Sequence, residues 1–357
     1  MFHKTRQKFT VLFAALAATC LLVVPGCGDD SSSDTTEALS TTTVALATTT
    51  TVTPTTTVAP EPVEKPLIVV TTNILGDVVG KAVGDLFDVE TIMPSGADPH
   101  VFQASAKQVD RMMKADLLVV NGANFEEGLL DIIKGAESDG VKVFEAIDSV
   151  DPLEDNDKEE GHDDHDEEGH DDHHGHDHGG VDPHFFTDPG RMAQVVKQLS
   201  DFLVINFPEI DEKDLVSHMT DYSKKLEDLD SEVMQTLSSI PTGSRVMVTN
   251  HEVFAYFAES YEFEILGTII PSSSTLSNTS AKDLVDLAEK MKAEGVPAVF
   301  VDASSSDALA EALAGEVDGV EVVSLFSESL GAENTAGSTY IDMVRTNSEL
   351  IASALTG

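Results

Sequence analysis

One strand-helix-strand arrangement occurs twice in this chain, at matching spacing, and that repeat limits the folds open to it. "KPLIVVTTNILGDVVGKAVGD" reads as an apolar strand, a Thr-Asn turn and a helix, and "VETIMPSGADPH" follows as a second strand that ends in Pro. "SRVMVTNHEVFAYFAESYEFEILGTIIPSSS" repeats the order, so that Asn73 and Pro94 are 21 positions apart, as are Asn250 and Pro271. The parallel continues where "SAKQVDRMMKADLLVVNGA" is answered by "SAKDLVDLAEKMKAEGVPAVFVDA". Short β-branched runs that alternate with amphipathic helices predict parallel sheets covered on both faces. The expected fold class is therefore α/β, with two similar lobes, each a small parallel sheet flanked by helices. Ligands of such folds bind at loops that follow the carboxyl ends of the strands.

Between the repeats the pattern predicts a helix ending near Pro208 and a long helix from about Asp211 to Ser239. At about 1.5 Å per residue this second helix would run some 40 Å and reach from one lobe to the other. A single stiff connector of that kind predicts a modest rocking of the lobes on ligand binding. The expected division is 67–190 for the first lobe, 191–240 for the helical connector and 241–357 for the second lobe.

The first residues have a different purpose. Lys4, Arg6 and Lys8 precede an apolar run from Phe9 to Val24, followed by Val24-Pro25-Gly26-Cys27. The run is shorter than the roughly 20 apolar residues of a spanning helix. Together they read as a secretory signal, and a small residue before Cys27 resembles a bacterial lipobox, in which residues 1–27 hold the signal and Cys27 carries lipid. Residues 28–66, with "TTTVALATTTTVTPTTTVAPEP", are expected to form a disordered Thr/Ser/Pro-rich tether. The folded part is thus expected outside the cytoplasm, lipid-anchored to the cell membrane.

Cys20 would leave with the signal, so the mature chain has no thiol for a disulfide or a thiolate ligand. Any metal must be held by nitrogen and oxygen, which favours zinc, manganese, nickel or copper(II) over copper(I) and iron–sulfur clusters. A formal net charge of -43 repels nucleic acid and anionic membrane surfaces. The absence of Trp, with only 4 Tyr, argues against a sugar site built on stacking.

Three histidines fall near strand ends or helix starts: His100 in "GADPHVF", His184 in "VDPHFFTDP" and His251 in "VTNHEVF". Singly, each reads more readily as a hydrogen-bonded core residue. Asp-Pro-His occurs twice, however, and Pro fixes the backbone just before the imidazole, so less entropy is lost on binding. Three neutral imidazoles leave a divalent ion its full charge, which makes a carboxylate the natural fourth ligand.

Seven more histidines, His162, His165, His170, His173, His174, His176 and His178, lie among Asp and Glu in a run with no apolar residue from Gly161 to Gly180. Such a stretch cannot bury a core, and 151–180 is expected to be a disordered loop. Its metal binding should be weak, multiple and pH-dependent. The run therefore reads as an accessory collector ending three residues before His184, with a solvated loop of incidental affinity as the plainer alternative. His218, on the long helix, reads as a surface residue.

"TTNILGDVVGKAVGD", "PSGADPHVFQASAKQV", "ADLLVVNGANFE", "VDPHFFTDP", "VTNHEVFAYFAESY" and "STYIDMVRTNSELI" together resemble the zinc/manganese-binding proteins of bacterial ABC transporters, the ZnuA/TroA-like cluster. The resemblance runs from about Leu67 to the C-terminus. It implies two α/β lobes, one backbone helix and a metal in the interlobe cleft, with His100, His184 and His251 at the three nitrogen-ligand positions. The fourth position commonly holds Asp in that family; here "LFSESLGAENTAGSTY" puts Glu328 there, with Asp302 and Glu252 in reserve. The resemblance implies a monomeric solute-binding protein that captures Zn(II), or alternatively Mn(II), and delivers it to an ABC permease, without chemistry on a substrate. His251 stands where manganese-selective relatives often carry a carboxylate, which favours zinc. The rival readings are a surface adhesin, and a zinc metallohydrolase with Glu252 beside His251 as its base.

Overall fold

The computed structural model describes residues 65–154 and 180–357. The expected lipobox at Cys27, residues 28–64 of the tether and the seven histidines from His162 to His178 lie outside the described residues.

The first half of the described chain alternates strand and helix: β1 (Leu67–Val70), α1 (Asn73–Val83), β2 (Asp88–Thr91), α2 (Ala106–Met113), β3 (Leu117–Val120), α3 (Leu130–Ser138) and β4 (Lys142–Glu145). Two helices follow, α4 (Pro189–Asn206) and α5 (Glu212–Leu237). The alternation then resumes with β5 (Val246–Thr249), α6 (Ala255–Tyr261), β6 (Glu264–Thr268), α7 (Ala281–Glu294), β7 (Ala298–Asp302), α8 (Ala308–Gly315) and β8 (Glu321–Leu325), and α9 (Tyr340–Thr356) closes the chain. All neighbouring strands are parallel. The sheet orders are β2-β1-β3-β4 and β6-β5-β7-β8, one topology used twice.

The repeat extends to the helix caps. Ser105 caps α2 and Ser280 caps α7, each in a reciprocal capping box with the side chain three residues on, Gln108 and Asp283. Each box satisfies two backbone N–H groups that a helix start otherwise leaves open. The long connector α5 starts at its Asp211 cap and has 26 residues, about 39 Å at 1.5 Å per residue.

Alternation along the strands separates the cores. Ile68 and Val70 of β1 and Leu117 and Val119 of β3 face α1, α4 and α5, whereas Val69, Leu118 and Val120 face an outer core with Met112 and Ile133. In the second sheet Met247, Ala298 and Phe300 join the same central core, and Val248, Val299 and Val301 turn to an outer one with Leu287 and Met291. Both lobes thus share one continuous apolar core, with α5 running through it, and Pro62–Gly357 forms one compact unit.

Ordered chain reaches further into the expected loop than 151–180 allowed. Glu154 forms an antiparallel bridge with Val181, and the Leu153 N–H donates to the Tyr256 hydroxyl at 3.0 Å. Apolar contact by Leu153 and this bond hold both flanks of the histidine run against the body. Among the described residues no helix is long and apolar enough to cross a membrane.

Candidate metal centre

His100, His184, His251 and Glu328 converge, with one donor atom from each lying within 4.8 Å of all the others. Each comes from a loop at the carboxyl end of a strand: His100 follows β2, His184 follows β4 by way of the histidine-rich insertion, His251 follows β5 and Glu328 follows β8. Two lobes therefore contribute, as the paired topology allows. All four are buried, with His184 and His251 at 0% exposure and Glu328 at 2%.

The Glu328 carboxylate is the hub. Its oxygens lie 3.6 Å from His100 Nε2, 3.5 Å from His184 Nε2 and 2.9 Å from His251 Nε2. Neither these three nitrogens nor either Glu328 oxygen makes a hydrogen bond of acceptable geometry among the described residues. Leaving one buried polar atom unsatisfied costs about 1–3 kcal/mol, so five facing one another call for a shared partner. Donors about 2.0–2.1 Å from a tetrahedral zinc lie about 3.3 Å apart, close to the separations found here. The set fits one divalent ion.

The outward nitrogens are held differently. His184 Nδ1 lies 2.7 Å from Asp182 Oδ1, and His100 Nδ1 lies 3.1 Å from Glu127 Oε1. A carboxylate that accepts the Nδ1 proton of a neutral imidazole leaves the Nε2 lone pair free for an ion. His251 Nδ1 has no such partner among the described residues. Edge-on rings of Phe125 and Phe186 wall the site beside His184 and keep it apolar.

The two Asp-Pro-His turns are built alike. Asp98 Oδ1 accepts the His100 N–H and Asp182 Oδ1 accepts the His184 N–H, both at 2.9 Å. These short Asx turns, with Pro between, preset each imidazole. The charge balance follows from the same contacts. Burial opposes a charge on His100, but the Glu127 and Glu328 carboxylates outweigh it and push its pKa up to about 10. Burial likewise opposes the charge on Glu328, and the surrounding imidazoles hold its carboxyl well below the usual carboxylate range.

The two reserve carboxylates are not among the converging donors. Asp302 is buried behind the Glu328 loop, where its Oδ2 accepts from the N–H groups of Ser327 and Glu328, each at 3.0 Å. The Glu252 backbone N–H donates to the Ser272 carbonyl, and its side chain is half-buried. His218 lies exposed on α5. Glu127 and Asp182 were missed by sequence reasoning. Asp182 had a signal in the repeated Asp-Pro-His, whereas Glu127 reaches His100 across 27 positions with no local pattern to mark it.

The family described as "Zinc-uptake complex component A periplasmic" (ZnuA) matches residues 68–354. Zinc-binding protein TroA of Treponema pallidum (strain Nichols) is 28% identical over 298 residues, covering 82% of this chain and 89% of the relative. The manganese ABC transporter substrate-binding lipoprotein PsaA of Streptococcus anginosus is 26% identical over 303 residues, covering 82% of this chain and 90% of the relative. Among solved structures, the periplasmic zinc binding protein TroA from Treponema pallidum superposes with a TM-score of 0.68 at 26% identity, covering 82% of this chain and 99% of that one. The same α/β fold is shared with a Mn-bound periplasmic metal binding protein from Candidatus Liberibacter asiaticus, at a TM-score of 0.69 and 19% identity over 82% of this chain and all of that one.

Proposed function

The chain belongs to the ZnuA family of periplasmic zinc-uptake components, and from that premise we propose that it captures Zn(II) outside the cytoplasm and delivers it to an ABC permease. The observation that carries the choice of cargo is the donor set, three imidazoles and one carboxylate, all buried and within 4.8 Å of one another. Nitrogen-rich tetrahedral sites suit zinc, whereas manganese favours more oxygen donors and a higher coordination number. His100, His184, His251 and Glu328 are the ligands in this reading. Mn(II) is the second reading, because relatives of this similarity are named for either metal.

The ion is cargo and no substrate is transformed. Four protein donors leave a tetrahedral ion no open position for a reacting water, and Glu252, the base that a metallohydrolase would need, is outside the cluster. The lipid at Cys27 and the Thr-rich tether would keep the monomer at the membrane near its permease. The histidines from His162 to His178 would collect ions and pass them inward to His184.

Competitive titration of zinc and manganese into chain 63–357, with bound metal counted, tests the reading. One tightly held zinc that manganese cannot displace is expected. Manganese winning at the same stoichiometry would keep the site and change the cargo, and no tight ion of either kind would overturn the proposal.

A further inference from the structure

Asn73 is the first residue of α1, and its side chain crosses to the other lobe. Nδ2 donates to the Pro94 carbonyl at 2.9 Å and to Ser329 Oγ at 2.7 Å, and Oδ1 accepts the Leu330 N–H at 2.7 Å. Ser329 Oγ also accepts the Gly96 N–H at 2.7 Å. The amide orientation is fixed by these partners, since a flipped amide would set Nδ2 against the Leu330 N–H. Pro94 and Gly96 belong to the loop that carries His100, while Ser329 and Leu330 follow Glu328 directly. On the other side of Glu328, Asp302 holds Ser327 and the Glu328 backbone from within the second lobe. The hub carboxylate thus sits between two grips, one from its own lobe and one from the opposite lobe.

Asn250, the repeat counterpart of Asn73, leaves its buried Oδ1 without a hydrogen-bond partner among the described residues, whereas Asn73 Oδ1 accepts the Leu330 N–H of the opposite lobe.

We infer that Asn73 is a positioning residue for the metal: its amide locks the His100 loop to the Glu328 loop across the lobe boundary, and breaking that lock lets the carboxylate leave the ion on release. This rests on the reading of Glu328 as a ligand. Asn73 and Ser329 are buried at 8% and 3% exposure, so their bonds are shielded from competing water. Losing three hydrogen bonds at once should loosen the Glu328 loop without removing any donor to the ion.

The test uses the full chain loaded with one equivalent of metal, as wild type, Asn73→Ala, Ser329→Ala, Glu328→Ala and Asn73→Ala/Glu328→Ala. Zinc release into excess chelator is timed, and the visible absorption of the Co(II) form reports coordination. Asn73→Ala is expected to speed release about tenfold and to move the Co(II) spectrum towards that of Glu328→Ala, with no further effect once Glu328 is Ala. Ser329→Ala should do the same to a smaller degree, and it decides the matter alone if Asn73→Ala fails to fold. Unchanged release and spectrum, or an equal effect of Asn73→Ala with and without Glu328, would overturn the lock while leaving the site intact. A wild-type chain that holds no zinc would instead overturn the proposed function.

Discussion

His100 and His184 present Nε2 inwards because carboxylates take their outward nitrogens. Substituting such a partner typically costs 10–100-fold in metal affinity, so Asp182→Asn should weaken zinc binding by about one to two orders of magnitude, read by competition with a chromophoric chelator. His100 sets the pH response. Its pKa rises from 6.5 to about 10, so its ion pairs contribute to the stability of the metal-free protein fully below the ordinary value and cease to do so as pH rises through about 10. Glu328 runs the other way: its stabilisation is present above the ordinary 4.5 and is lost only as pH falls through its much lower folded value. If zinc takes His100 as a ligand, as proposed, it displaces the His100 proton. Apparent affinity should therefore climb with pH from neutrality to about 10, by up to about tenfold per unit for one proton. Calorimetry in buffers of different ionisation enthalpy checks this at neutral pH, where about one proton released per zinc is expected and none would contradict the charge balance.

Elements deliver those side chains by close approach. The turn Glu127–Leu129 lies against the loop after His100 so tightly that a Cβ on Gly128 would stand 2.1 Å from the Phe102 carbonyl oxygen. Backbone cannot yield as a flexible side-chain tip can. Gly128→Ala should cost about 1–3 kcal/mol by overpacking and displace both Glu127 and His100, lowering the melting temperature and zinc affinity together. The parallel sheets were legible in the sequence because strands buried on both faces must be apolar throughout, as β1 and β3 are. The helices were legible because their apolar residues recur with an amphipathic, helical period. His100 and His184 announced themselves by the Pro before each, and His251 by its place in the repeat. Glu328 was legible only through family likeness, since "LFSESLG" has no spacing that singles out one carboxylate. Glu127 and Asn73 act over 27 and 256 positions in sequence. No local pattern encodes such contacts; the first appears only once its own lobe is folded, and the second only once both lobes are.

On the scale of the whole molecule, the shared core decides how far the lobes can move. Residues of both sheets pack with α1, α4, α5 and α9 in one cluster, and opening it would expose apolar surface at about 25 cal/mol per Å². Polar links cross the lobes as well, including Tyr340 Oη to the Phe186 carbonyl at 2.8 Å and Thr275 Oγ1 to Asp98 Oδ2 at 2.8 Å. Wide hinge closure of the kind seen where flexible strands join two lobes is disfavoured. Small-angle scattering of the metal-free and zinc-loaded protein should give the same radius of gyration within error.

The most direct test of the four-donor centre is a zinc-edge X-ray absorption spectrum of chain 63–357 lacking residues 161–180 and loaded with one equivalent of zinc. Four nitrogen or oxygen neighbours at about 2.0–2.1 Å, with the multiple scattering of three imidazoles, is the expected result. Zinc that is six-coordinate, that has fewer than three imidazoles, or that is no longer retained once the histidine-rich run is removed would contradict it.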